Sequence, residues 1–227
     1  MKNIKYIFYF NILFLFSNCS RSEDCVYVSQ DCSTFTYTEN FETATLNNVN
    51  GWTTINGTGI VANFPVGNTN KAMKFTDGSG VSTTFNSNFL TANLIATGCD
   101  IYYKVALNAV GDATAENAME LYNTTNFYNS TYRAVFKLKD PYKIVANKGV
   151  FTSIKIPIAL ASNNVLPSNE YGQWTIVPSV NAADDAQKFN DVLKNRGGVS
   201  FTVDVPNAEN VVWYYDDFQI KTCCSTF

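Results

Sequence analysis

Apolar residues return at every second position in one segment of this chain after another. Residues 101–110 read IYYKVALNAV, which puts Ile101, Tyr103, Val105 and Leu107 on one side and Tyr102, Lys104 and Asn108 on the other. Residues 132–138 repeat the pattern with Tyr132, Ala134, Phe136 and Leu138, and residues 151–160 with Ile154, Ile156, Ile158 and Leu160. A period of two belongs to a pleated strand with one buried face. Residues 33–41, 72–76, 81–85, 174–177, 199–205 and 211–220 read as further strands, with turn signals such as Asp77-Gly78-Ser79-Gly80 between them. Many short strands so spaced predict an all-β chain, an antiparallel two-sheet β-sandwich of the jelly-roll type. One segment departs from the pattern. Residues 182–195 carry Phe189, Val192 and Leu193 at helical spacing, acidic residues early, and Lys194 and Arg196 before the stop at Gly197-Gly198. One short helix near 183–195 is expected, covering an open end of the core.

Composition narrows the function classes. Charged residues make up 15% and aromatics 15%, unlike a disordered or long-helical chain. A net charge of −3 argues against a nucleic-acid partner. There is no histidine, so Ser-His-Asp and Cys-His chemistry and every His-bound metal are excluded.

The first residues look like a targeting segment. Lys2 and Lys5 precede an apolar run over 7–16, too short to span a bilayer comfortably. Leu15-Phe16-Ser17-Asn18-Cys19 resembles a bacterial lipobox, which makes Cys19 the lipidated residue. An ordinary signal peptide cut near Ser20, or an uncut anchor, is the other reading. The organisation expected is a lipoprotein signal peptide over 1–18, a tether over 19–32, the sandwich over 33–222 and a tail over 223–227. Such a chain would sit on the bacterial outer membrane or cell surface, lipid-anchored, or else be secreted. An oxidising compartment favours disulfides. Cys25 or Cys32 could reach Cys223 or Cys224 if the first and last strands are neighbours. A bridge there would contribute about 4–5 kcal/mol on the loop-entropy model.

Short motifs follow one another in a telling order. Asn40-Phe41-Glu42 leads to Gly51-Trp52, then to Lys71-Ala72-Met73-Lys74-Phe75, and finally to Trp213-Tyr214-Tyr215-Asp216-Asp217-Phe218-Gln219-Ile220. From Asn40 to Ile220 this order resembles the carbohydrate-binding modules of the galactose-binding-like jelly-roll superfamily. The resemblance implies a structural calcium ion where the first and last strands meet, with Glu42, Asp216 and Asp217 as candidate ligands. Counting alternate positions back from Phe218 and Ile220 turns Asp216 inward and Asp217 outward. An inward carboxylate is costly without a cation. The same residues allow a second arrangement, with Asp216 accepting backbone N–H bonds at the strand edge or pairing with a lysine such as Lys71.

The resemblance also implies a glycan or polysaccharide partner. Sugar rings stack on aromatic faces while charged and amide groups reach their hydroxyls. The candidates are Tyr102, Lys104, Arg133 and Lys137 on outward strand faces, with Trp52, Tyr142 and Trp174 as aromatics near loops. Were the middle strands adjacent, Lys104, Arg133, Lys137, Lys139 and Lys155 would form a basic stripe suited to an anionic glycan. The function expected is glycan binding without catalysis. Adhesion to a protein is the first alternative. A glycan-cleaving enzyme is the second, disfavoured because Glu116 and Glu120 are read as lying near a loop and Asp184-Asp185 as belonging to the helix.

Overall fold

The computed structural model describes residues 35–48, 51–77, 82–86, 100–107, 116–124, 129–139, 149–194, 197–204 and 212–221. Among them are twelve strands: β1 (Phe35–Glu39), β2 (Thr53–Ile55), β3 (Gly57–Asn63), β4 (Lys71–Asp77), β5 (Ser82–Asn86), β6 (Asp100–Leu107), β7 (Glu116–Tyr122), β8 (Arg133–Leu138), β9 (Thr152–Pro157), β10 (Gly172–Val177), β11 (Gly198–Asp204) and β12 (Val212–Lys221). The helix α1 (Ala182–Lys194) stands between β10 and β11. Sheet A runs β3-β4-β12-β6-β9, with β1 also paired to β12. Sheet B runs β10-β8-β7-β11-β5-β2. All described pairings are antiparallel, as the alternation requires. The all-β, two-sheet architecture with one helix is the one expected.

The inner faces follow the alternation. Ile101, Tyr103 and Val105 from β6, Ala134, Phe136 and Leu138 from β8, and Ile154 and Ile156 from β9 are all buried. Phe201 of β11 ties the sheets together. Its ring stacks on Tyr215 of β12 at 4.3 Å and lies 5.1 Å from Tyr103 of β6 and 5.5 Å from Trp52. Gly172 has a packing reason. A Cβ there would stand 2.3 Å from the carbonyl of Lys137 and 2.7 Å from the Phe136 ring, so β10 meets β8 only because that side chain is missing. β9 ends sooner than its apolar pattern suggests, and Leu160 lies exposed.

The helix forms where its signals place it. Asn181 caps it, Oδ1 accepting the N–H groups of Ala183 at 3.1 Å and Asp184 at 3.0 Å. Lys188 pairs with Asp184 at 2.7 Å, one turn apart. Ala186, Phe189, Val192 and Leu193 form its buried stripe, and Phe189 sits 5.3 Å from the Trp174 ring. The helix thus closes over the core beside β10 and β8. Among the described residues no helix is long and apolar enough to cross a membrane. Cys19, Tyr142 and the cysteines proposed for disulfides lie outside the described residues.

Candidate functional site

The aromatics expected in loops are core residues. Trp52 is 2% exposed, and Trp174 is 3% exposed with its Nε1 donating to the carbonyl of Pro157 at 2.7 Å. Neither ring offers a face to a ligand. The basic stripe also divides. β6 and β9 are neighbours in sheet A, but β8 lies in sheet B. Tyr102, Lys104 and Lys155 therefore share one outer face, while Arg133 and Lys137 share the opposite one.

The outer face of sheet A closes on itself. The Lys155 ammonium lies 5.8 Å from the centre of the Tyr102 ring, to which it is paired in register. The loop after β3 lays Phe64 over the sheet, 4.3 Å from Tyr214 and 4.8 Å from Phe151. Phe64, Ala72 and Tyr214 form a second, smaller apolar cluster on this face.

At one edge of β12 two strands succeed each other. Val212–Tyr215 pair with β4, and Phe218–Lys221 pair with β1. Asp216 and Asp217 fall at the seam. Continuing the two registers brings Lys71 and Asn40 to the level of Asp217. The other edge of β12 bulges here. Asp216 faces Lys104 and Gln219 faces Tyr102, leaving two residues opposite Tyr103. Asp217 takes the extra position with φ 48°, in the left-handed region that Asp tolerates. The bulge corrects the parity count. Asp216 lies on the outer face with Lys104, and Phe218 returns to the core one residue late.

The seam brings Glu42 and Asp216 close enough to couple, and one oxygen of each carboxyl there already meets a donor. Asp216 Oδ1 accepts the Asp217 N–H at 2.7 Å, and Asp217 forms an ion pair with Lys104. Glu42 Oε1 accepts the Lys71 N–H at 3.0 Å. The Lys71 ammonium donates to the carbonyls of Glu42 at 2.8 Å and Ala44 at 2.7 Å. Asp216 is half-buried, and burial pushes its carboxyl up from 3.8 to about 7. The Asp217 N–H and the Lys104 ammonium hold it back, while the charges of Asp217 and Glu42 push the same way as burial. Calcium takes six to eight oxygens at about 2.3–2.6 Å. Among the described residues no group of three or more acidic or Cys side chains gathers to hold a metal. As arranged, the residues present do not fit the ion.

The outer face of sheet B differs. In register, Ala118, Glu120 and Tyr122 of β7 face away from the core between Lys137, Val135 and Arg133 of β8 and Thr202, Ser200 and Gly198 of β11. Glu120 is 5% exposed, yet it belongs to this outer face. Its Oε2 accepts the Ser200 hydroxyl at 3.1 Å and lies 3.5 Å from Arg133 Nε. A buried carboxylate needs such partners. Lys137 and Gln173 are exposed beside the cluster, and Thr175 is half-buried. Arg133 and Lys137 are the residues expected on this outer face, and the sequence reading did not place Glu120 and Ser200 beside them. The available signal was Met119 and Leu121, which alternate with Ala118, Glu120 and Tyr122 and mark a strand with Glu120 outward. Elsewhere, an open groove of about 400 Å³ between α1 and the turn at Asn163-Asn164 is lined by Gln187, Asn190 and Lys194. Asn190 Oδ1 is already held there by the Ala161 N–H at 2.8 Å.

No family model matches the chain, and no curated protein matches it. Solved structures do. The chain is similar to a xylan-binding CBM22 domain from Paenibacillus barcinonensis, at 11% identity and TM-score 0.46, covering 85% of this chain and 97% of that one. It is similar to CBM22 and GH10 modules of an endo-xylanase from Clostridium thermocellum complexed with xylohexaose, at 12% identity and TM-score 0.46, covering 84% of this chain. The chain spans about 29% of that xylanase structure's length. A family 11 carbohydrate-binding module of Clostridium thermocellum matches at 11% identity and TM-score 0.47, over 82% of this chain and 95% of that one.

Proposed function

We propose that this chain is a non-catalytic, glycan-binding β-sandwich that takes a polysaccharide on the outer face of sheet B, tethered at the bacterial surface by a lipid on Cys19. The observation that carries the reading is the Glu120–Arg133–Ser200 cluster at the middle of that face. Glu120 and Ser200 are buried and hold the half-buried Arg133 guanidinium in a fixed direction beside exposed Lys137 and Gln173, which suits the hydroxyls of a sugar chain. The ligand favoured is uncharged. Arg133 is matched by Glu120 and Lys104 by Asp217, which takes away the ground for an anionic glycan.

Cleavage is disfavoured on geometry. Glycosidases set two carboxyl groups about 5–9.5 Å apart across one bond. Glu116 opens β7, next to the preceding loop as expected, whereas Glu120 lies within the strand. Four residues of strand separate them by about 13 Å.

Affinity electrophoresis of the purified full-length protein in gels cast with neutral or acidic polysaccharides tests the reading. Retardation by a neutral polysaccharide is expected. Glu120→Gln should weaken it about tenfold, the equivalent of about 1.4 kcal/mol, while the far-UV spectrum is kept. Unretarded migration through every neutral gel would sink the proposal, and retardation by acidic gels alone would overturn the choice of an uncharged ligand.

A further inference from the structure

We propose that the strand seam carries its own cation, and that the ammonium of Lys71 occupies the place a bound metal would take. Three observations converge on one side chain. The turn after β1 is shaped by Phe41 at φ 56° and closed by the Ala44 N–H donating to the Phe41 carbonyl at 2.9 Å. It aims the carbonyls of Glu42 and Ala44 at one point. Lys71 Nζ lies at that point, 2.8 and 2.7 Å from the two oxygens. The backbone N–H of the same residue holds Glu42 Oε1 at 3.0 Å, so Lys71 grips the turn at both of its ends.

Converging carbonyl dipoles favour a positive charge between them. A dication cannot share that point with an ammonium, since the two repel and compete for the same lone pairs. Lys104 completes the balance on the other side of the seam by pairing with Asp217. The Lys71 ammonium thus stands against the carbonyls of Glu42 and Ala44, and the Lys104 ammonium against the carboxylate of Asp217. A covalently attached cation does not dissociate, so the join between β1, β4 and β12 should hold whatever the metal concentration outside. The proposal is independent of what the outer face of sheet B binds.

Thermal melts and calcium titration calorimetry of the purified full-length protein test it. The wild type should melt at the same temperature in chelator and in millimolar calcium, and calcium should give no binding heat. Lys71→Met leaves the two carbonyls without their donor and should lower the melting temperature by about 4–8 °C. Lys71→Ala also empties the space, and calcium should restore part of its lost melting temperature through the Glu42 and Ala44 carbonyls and the Glu42 and Asp216 carboxylates. A wild type that binds calcium or melts lower in chelator would overturn the proposal. So would a Lys71→Ala protein whose melt ignores calcium.

Discussion

The outer faces of the two sheets hold similar residue types and treat them in opposite ways. On sheet A, rings and charges are turned on one another: Phe64 on Tyr214 and Phe151, Lys155 over Tyr102, Lys104 on Asp217. On sheet B, the Glu120–Arg133–Ser200 cluster is fixed in place with exposed Lys137 and Gln173 beside it. The difference teaches that a face is not characterised by its count of cations or rings. Four of the basic residues expected to greet a ligand, Lys104, Arg133, Lys139 and Lys155, already have internal partners. On the proposed reading, the polar groups left for a ligand lie on the outer face of sheet B.

Three changes break or sharpen this contrast. The largest effect should come from Phe64→Ala, which empties the middle of the apolar cluster on sheet A and should cost about 3 kcal/mol in urea unfolding. Polysaccharide retention by the folded protein should not change. A parallel loss of retention would show that the two faces are not separate. Next comes Asp216, a half-buried carboxyl at the border of the sheet A face. Its folded value near 7 lies above the unfolded value near 3.8. Between these the native state keeps a proton that the unfolded chain releases, so this group's contribution to stability falls as pH rises through that window. Urea midpoints measured from about pH 4 to about pH 8 should slope less for Asp216→Asn than for the wild type, and parallel slopes would refute the assignment. The smallest effect is expected from Lys155→Ala, whose ring contact is partly exposed and is worth under about 1 kcal/mol. Its retention should equal that of the wild type.

Much of the fold was legible because alternation is a direct image of burial. Ile101, Tyr103, Val105 and the β8 set fell on the core side as their spacing required. Three strands escaped for local reasons. β2 is only Thr53–Ile55, β3 opens with Gly57-Thr58-Gly59, and β7 reads ENAMELY, rich in residues that favour helices. Tertiary pairing with β8 and β11 overrides that preference in β7. The site was less legible. Parity cannot be carried across a bulge, so the extra residue at Asp217 moved Asp216 to the other face. Nor does a tryptophan announce its surroundings, and both Trp52 and Trp174 went to the core. Which strands share a sheet decides whether their outward charges add together. That order depends on long-range pairing, which no window of sequence contains.

The position of β12 has a consequence for how the molecule is assembled. It is the strand on which β1, β4 and β6 all pair, and it follows every one of them in the chain. Until residues 212–221 have left the ribosome, the described strands of sheet A can form only two separate pairs, β3 with β4 and β6 with β9, while β1 waits without a neighbour. Once residue 177 has emerged, sheet B lacks only β11, and β7, β8 and β10 can already pair. Assembly of the sandwich is therefore weighted toward its end, with one late strand closing three open edges at once.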